Sequence, residues 1–109
     1  MRPGAVIAAT IDLVDEVLHS NKTTRNHLKN FIKKNKYIGA KDKRLLYSLV
    51  FSTLKKYYAI KEFCKNNEIP ETTRSFTLIN YLNVHKPISI NNVYEGRYSI
   101  LKEKEDKNI

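Results

Sequence analysis

The sequence holds one cysteine, three glycines and three prolines in 109 residues. A lone cysteine, Cys64, excludes an intrachain disulfide and a cysteine-based zinc set, and it reads as a small apolar filler near a helix end. The glycines stand at 4, 39 and 96, too far apart for a phosphate-cradling glycine loop. Few chain breakers and no sustained apolar/polar alternation exclude a strand-rich protein and favour an all-α one. No apolar run approaches the ~20 residues that cross a membrane. The first apolar stretch, 5–11, runs straight into Asp12, Asp15 and Glu16 and is too short for a secretion signal. A soluble, cytoplasmic protein with no membrane partner is expected. His19, His27 and His85 fall in separate elements without metal-ligand spacing, so no metal site is expected either.

What is present is helical periodicity. At about 100° per residue, residues 39–58 place Leu45, Leu46, Leu49, Val50, Leu54 and Tyr57 on one broad face, flanked by Tyr47, Phe51 and Tyr58. Lys41, Arg44, Ser48, Ser52, Lys55 and Ala59 share the remaining narrow strip. A helix apolar around most of its circumference predicts a central post surrounded by others.

Before it, Pro3 suits a helix start, and Val6, Ile7, Ile11, Leu13, Val14, Val17 and Leu18 gather on one side up to about Ser20. Asp12, Asp15 and Glu16 gather with Ala5, Ala8 and Ala9 on the other, as a solvated or docking face. Thr23 or Thr24 caps a second helix to about Asn35, burying Leu28, Phe31 and Ile32. Residues 37–40 form a turn in which Gly39 supplies the positive φ of a C-cap, and Asp42 meets the dipole of the next helix.

The central helix continues or kinks through Ile60, Phe63 and Cys64 until Asn66 and Asn67. Thr72 or Thr73 caps a weaker helix over 74–85, with Phe76, Ile79 and Leu82 inward. Residues 1–87 thus read as one helical domain, and 88–109 as an irregular C-terminal extension. In that extension Ile88, Ile90, Val93, Tyr94 and Tyr98 pack along the bundle and 102–109 fray.

Charge is the feature that fold alone does not absorb. The net charge is +9, but residues 1–20 carry one base and three acids, residues 21–65 thirteen bases and two acids, and residues 66–109 six of each. Arg25, Lys29 and Lys33 run at i, i+4 and i+8, and Lys36 extends the line; such cations repel one another in the free protein. With Lys41, Arg44 and Lys55 from the central helix they are candidate contacts for a phosphate backbone. An exposed tyrosine stacking on an unpaired base would add specificity. An A-rich genome would also write many lysines, but not confine them to one segment.

Two segments carry a further signal. Residues 2–9 (Arg2, Pro3, Gly4, Ala5, Val6, Ile7, Ala8, Ala9) and 39–44 (Gly39, Ala40, Lys41, Asp42, Lys43, Arg44), the latter followed by an apolar run to Leu54, resemble the NusB-like domain at the N-terminus of the RsmB/Sun (Fmu) family of 16S ribosomal RNA cytosine-5 methyltransferases, particularly its alphaproteobacterial form. Residues 93–99, VYEGRYS, resemble the segment leading toward the catalytic part. Ala40 departs from the family, which often has a capping serine there. The resemblance implies an all-α NusB-like bundle that contacts ribosomal RNA. It implies no cofactor for this chain, because S-adenosylmethionine and the catalytic cysteine belong to a catalytic domain of which no motif occurs here; Cys64 is not that nucleophile. The partners it implies are ribosomal RNA and a methyltransferase domain. A free-standing antitermination factor, with a ribosomal-protein partner, and a protein–protein adaptor using the acidic face of the first helix are the alternatives.

Overall fold

Pro3 opens the first helix because its missing N–H is one that a helix start leaves unpaired anyway. From there α1 spans Pro3–Leu18. The chain is described by a computed structural model for all residues except 1, 37, 86–89, 104, 105, 107 and 108, and except the side chains of residues 90 and 91. α2 spans Thr24–Lys34, α3 Ala40–Lys55, α4 Tyr57–Asn66 and α5 Thr73–His85; a single 3-10 turn covers Ile90–Tyr94. The described residues contain no strand, so the protein is all-α.

Local chemistry sets the helix starts. The Thr23 hydroxyl accepts from the Asn26 N–H at 3.2 Å, capping α2 as its sequence requires. The Thr72 hydroxyl accepts from the Ser75 N–H at 3.2 Å and caps α5 in the same way. Gly39 differs from expectation. Its φ is −74°, and it precedes α3 as an extended N-cap rather than closing α2 with a positive φ. α1 stops two residues short of Ser20, at Leu18, which is exposed rather than buried. α3 stops at Lys55 and α4 starts after Lys56, so of the two expectations, continuation or a kink, the chain takes the interrupted course.

The hub is α1. It packs against α2, α3, α5 and the 3-10 turn, and Val6, Ile7, Leu13 and Val14 are buried in the joint core. Ala9, expected to face water or a partner, is buried, and so is Thr10, which returns its hydroxyl to the Val6 carbonyl at 2.7 Å. α3 packs on α1, α2 and α5 through Leu46, Leu49, Val50 and Thr53. It is not surrounded, because Tyr47 and Phe51 are 39% and 40% exposed and Tyr58 beyond the break is 81% exposed. A smaller core of Ile60, Cys64, Ile69 and Phe76 joins α4 to α5.

Residues beyond α5 fold back onto the bundle. Val93 is buried and the Tyr94 ring packs against the core, whereas Tyr98 is exposed, contrary to expectation. Ile88 and the Ile90 side chain, expected to pack here, lie outside what is described, as do Lys86 and Pro87. Gly4 marks the crossing point, since a Cβ there would stand 2.3 Å from the Val93 carbonyl oxygen and 2.4 Å from the Ser99 Cβ.

The expected fraying of 102–109 fails at Asp106. That side chain is buried and takes hydrogen bonds from Arg74 Nη2 (2.7 Å), Arg74 Nε (3.0 Å), the Tyr94 hydroxyl (3.0 Å) and the Glu103 N–H (3.2 Å). Arg74 also donates to the Leu101 carbonyl. Burial alone would raise the Asp106 carboxyl, but these donors and the Arg74 charge outweigh it and hold it below the usual carboxylate range. Burial, then the bond to Asp106, pushes the Tyr94 hydroxyl up to about 12.

Two outcomes test this packing. Leu49→Ala should cost about 2–5 kcal/mol in urea unfolding, and Leu54→Ala, which is only partly buried, distinctly less; equal losses would refute the assigned orientation of α3. Asp106→Asn should lower stability at neutral pH by about 1.5–3 kcal/mol. A depressed folded-state pKa gives stability that is present above the unfolded value near 3.9 and is lost as pH falls through the folded one. The gap between the two proteins should therefore hold at neutral pH and close below about pH 4. A gap independent of pH would mean the carboxylate charge plays no part.

Candidate functional site

All seven cations proposed from the sequence are on the surface. Arg25, Lys29 and Lys33 lie on α2 with Lys36 just past its end, and Lys41, Arg44 and Lys55 lie on α3. None of them pairs with an acidic side chain among the described residues. Because α2 packs on α3, the two rows occupy neighbouring helices, whose axes ordinarily lie about 8–10 Å apart.

Within α3 the three cations do not form a single line. Arg44 and Lys55 stand within about 20° of each other around the helix, with about 16 Å between them along the axis. Lys41 is turned about 60° away. With Pro3, Asp42, Leu45 and His85 it lines a shallow cavity of about 520 Å³ between the starts of α1 and α3 and the end of α5.

The side chains between the cations differ from the sequence expectation in two ways. Ser52, assigned to the wet strip, is half-buried and bonded to the Leu49 carbonyl (3.3 Å). The Asn80 amide of α5 donates to Ser52 at 2.7 Å and to buried Thr53 at 3.1 Å, so this edge of α3 is a polar seam with α5. In its place the exposed strip gains Tyr47 and Phe51. The sequence places both on the flank of the apolar face, the side that borders Arg44 and Lys55 at about 100° per residue.

The acidic face of α1 is partly engaged inside the molecule. Asp15 accepts from the Thr73 hydroxyl at 3.2 Å, and Glu16 lies 3.2 Å from His27 of α2, which is largely buried. Asp12 remains exposed, its carboxyl raised by partial burial and then by the charges of Glu16 and Asp15.

Little here suits covalent chemistry. Cys64 is buried, and its thiol is pushed up by desolvation and by Glu71, the opposite of an activated nucleophile. No group of three His, Cys, Asp or Glu among the described residues could hold a metal ion. An apolar cavity of about 280 Å³ lies between α4 and α5, walled by Ile60, Phe63 and Ile79 with Lys56 at its edge. No described helix is long and apolar enough to cross a membrane.

No protein-family model, curated protein or solved structure matches the chain. The candidate site therefore stands on its own geometry: exposed cations on two packed helices, with rings set between Arg44 and Lys55 of α3.

A row of like charges with no internal partner should not support the fold. Replacing Lys29 and Lys33 together with Ala should leave the unfolding free energy in urea unchanged or raise it by about 0.2–0.5 kcal/mol per relieved pair at low salt. A clear loss of stability would give the row a structural role.

Proposed function

We propose that this chain is a helical RNA-binding module, resembling the N-terminal domain of ribosomal RNA cytosine-5 methyltransferases. The observation that carries the reading is that Arg25, Lys29, Lys33, Lys36, Lys41, Arg44 and Lys55 are all exposed and all lack an acidic partner among the described residues. Chains normally dilute such rows with glutamates; a polyphosphate backbone would offset the repulsion and release its own counterions. These contacts would set affinity and position rather than sequence preference.

In this reading the chain binds RNA and transfers no methyl group itself; S-adenosylmethionine would be held by a separate catalytic domain. A free-standing factor of the NusB type would use the same cations. The adaptor reading is weaker, because Asp15 and Glu16 already face Thr73 and His27 within the molecule.

Filter binding at several salt concentrations tests the proposal. Log affinity should fall linearly with log salt, by about 0.7–0.9 per phosphate contacted. Lys29→Ala with Lys33→Ala should flatten that slope by roughly one to two units and weaken every RNA alike. Asp12→Asn should leave it nearly unchanged. Equal effects from the two proteins, or none from the lysine pair, would reduce the row to ordinary solvated surface.

A further inference from the structure

The outer face of α3 mixes charge and rings in a fixed order. Arg44, Phe51 and Lys55 fall within about 40° of one another around the helix, and Tyr47 lies about 40° to the side of Phe51. Tyr47 and Phe51 are half-exposed on successive turns, and Tyr58 follows three residues after Lys55 with most of its ring in water. The Tyr58 ring meets Tyr57 in a T-shaped contact at 5.2 Å. Exposed aromatics at this density are unusual beside unpaired cations, since each ring in water forgoes burial worth about 25 cal/mol per Å².

Resting on the RNA-binding reading, we propose that this face is a platform for single-stranded RNA: unpaired bases stack on Phe51 and Tyr47 while Arg44 and Lys55 hold the flanking phosphates. Spacing favours a single strand over a duplex. Residues four apart on a helix are about 6 Å apart along its axis, whereas stacked nucleotides in a B-form strand are about 3.4 Å apart. Two rings about 6 Å apart therefore suit bases that have left each other's stack, and a duplex keeps its base faces covered. The stretch of about 16 Å from Arg44 to Lys55 is long enough for two or three such extended nucleotides. Rings and cations together form the combination that binds single strands with little sequence preference. A protein partner docking on the same face would use the rings but has no need of Arg44 and Lys55 with their charges unopposed.

The test uses the full chain, a short oligouridylate carrying one 2-aminopurine, and a duplex of equal charge. The wild-type protein should bind the single strand more tightly than the duplex and quench the 2-aminopurine as it stacks. Tyr47→Leu with Phe51→Leu keeps apolar bulk but removes both rings. It should weaken the single strand about tenfold or more, abolish the quench, and leave duplex binding and the salt slope nearly as they were. Tyr47→Phe alone, which keeps both rings, should retain the quench. Wild-type protein that binds both probes equally, or a double variant that weakens both alike, would overturn the platform while leaving phosphate binding intact. If the double variant instead dissociates a wild-type dimer in sedimentation, the face is a self-association surface and the platform is wrong. Binding of neither probe at low salt would remove the RNA reading itself, and the platform with it. The wild-type comparison requires no variant, so a double variant that failed to fold would still leave the platform open to refutation.

Discussion

The packing of α1 against four other elements is the constraint from which the surface follows. Ile7 and Val14 have no accessible area left, and they hold α2, α3, α5 and the 3-10 turn against one shared core. With α3 committed to α1 through Leu46, Leu49 and Val50 and to α5 through Thr53, only one face of α3 remains for solvent. That face is the one bearing Arg44, Tyr47, Phe51 and Lys55. The candidate interface is thus not an addition to the fold but the part of α3 that the core does not use. Moving it would require rotating α3, which would pull Leu49 and Val50 out of contact.

Residues 2–9 and 93–99 meet in space, and they meet for packing reasons. Gly4 lets the Val93 carbonyl and Ser99 come against α1, Arg2 lies 3.8 Å from Glu95, and Gly96, at φ +102°, sits under the Arg2 side chain. Residues 2–9 and 93–99 therefore form a joint that closes the tail over the start of α1. The Ser99 hydroxyl ties the loop, its one proton shared between the Tyr94 and Gly96 carbonyls at 2.8 Å and 2.7 Å. A likeness carried by such residues bears on how the chain folds. The phosphate reading rests on different side chains, on α2 and α3, so the two can stand or fall separately.

How much was legible in the sequence follows from which signals are local. Thr23 and Thr72 cap their helices because an N-cap is decided within four residues, and Leu28, Phe76 and the apolar side of α1 emerge from period alone. The α3–α5 seam was not legible. Thr53 and Asn80 are buried polar residues that bond each other across α3 and α5, and a wheel assigns such residues to water. The exposed rings of α3 failed for the mirror-image reason: hydropathy cannot distinguish a ring that fills a core from one that a surface displays. Asp106 reads as tail charge until Arg74, 32 positions earlier, is seen beside it. The basic rows were legible because an exposed lysine needs no partner to be placed correctly.

Electrostatic range then decides how those rows act together. Cations at i and i+4 have Cβ atoms about 5–6 Å apart, inside the Debye length of about 8 Å at physiological salt, so each row feels its own repulsion even in the cell. Axes of packed helices ordinarily lie about 8–10 Å apart, so charges on neighbouring helices act on one another most strongly at low salt. The repulsion falls on the helix least able to absorb it. α2 buries only Leu28 completely, with Phe31 and Ile32 half-covered, whereas α1 and α3 each bury four or more side chains. A few tenths of a kcal/mol per like-charged pair is small against a domain stability of about 5–15 kcal/mol, but it is a larger share of what holds α2 alone in place. A bound polyanion would remove that repulsion and tighten α2 onto α1 and α3. In the proposed complex, affinity and the docking of α2 are consequently one quantity, and salt acts on both through the same lysines.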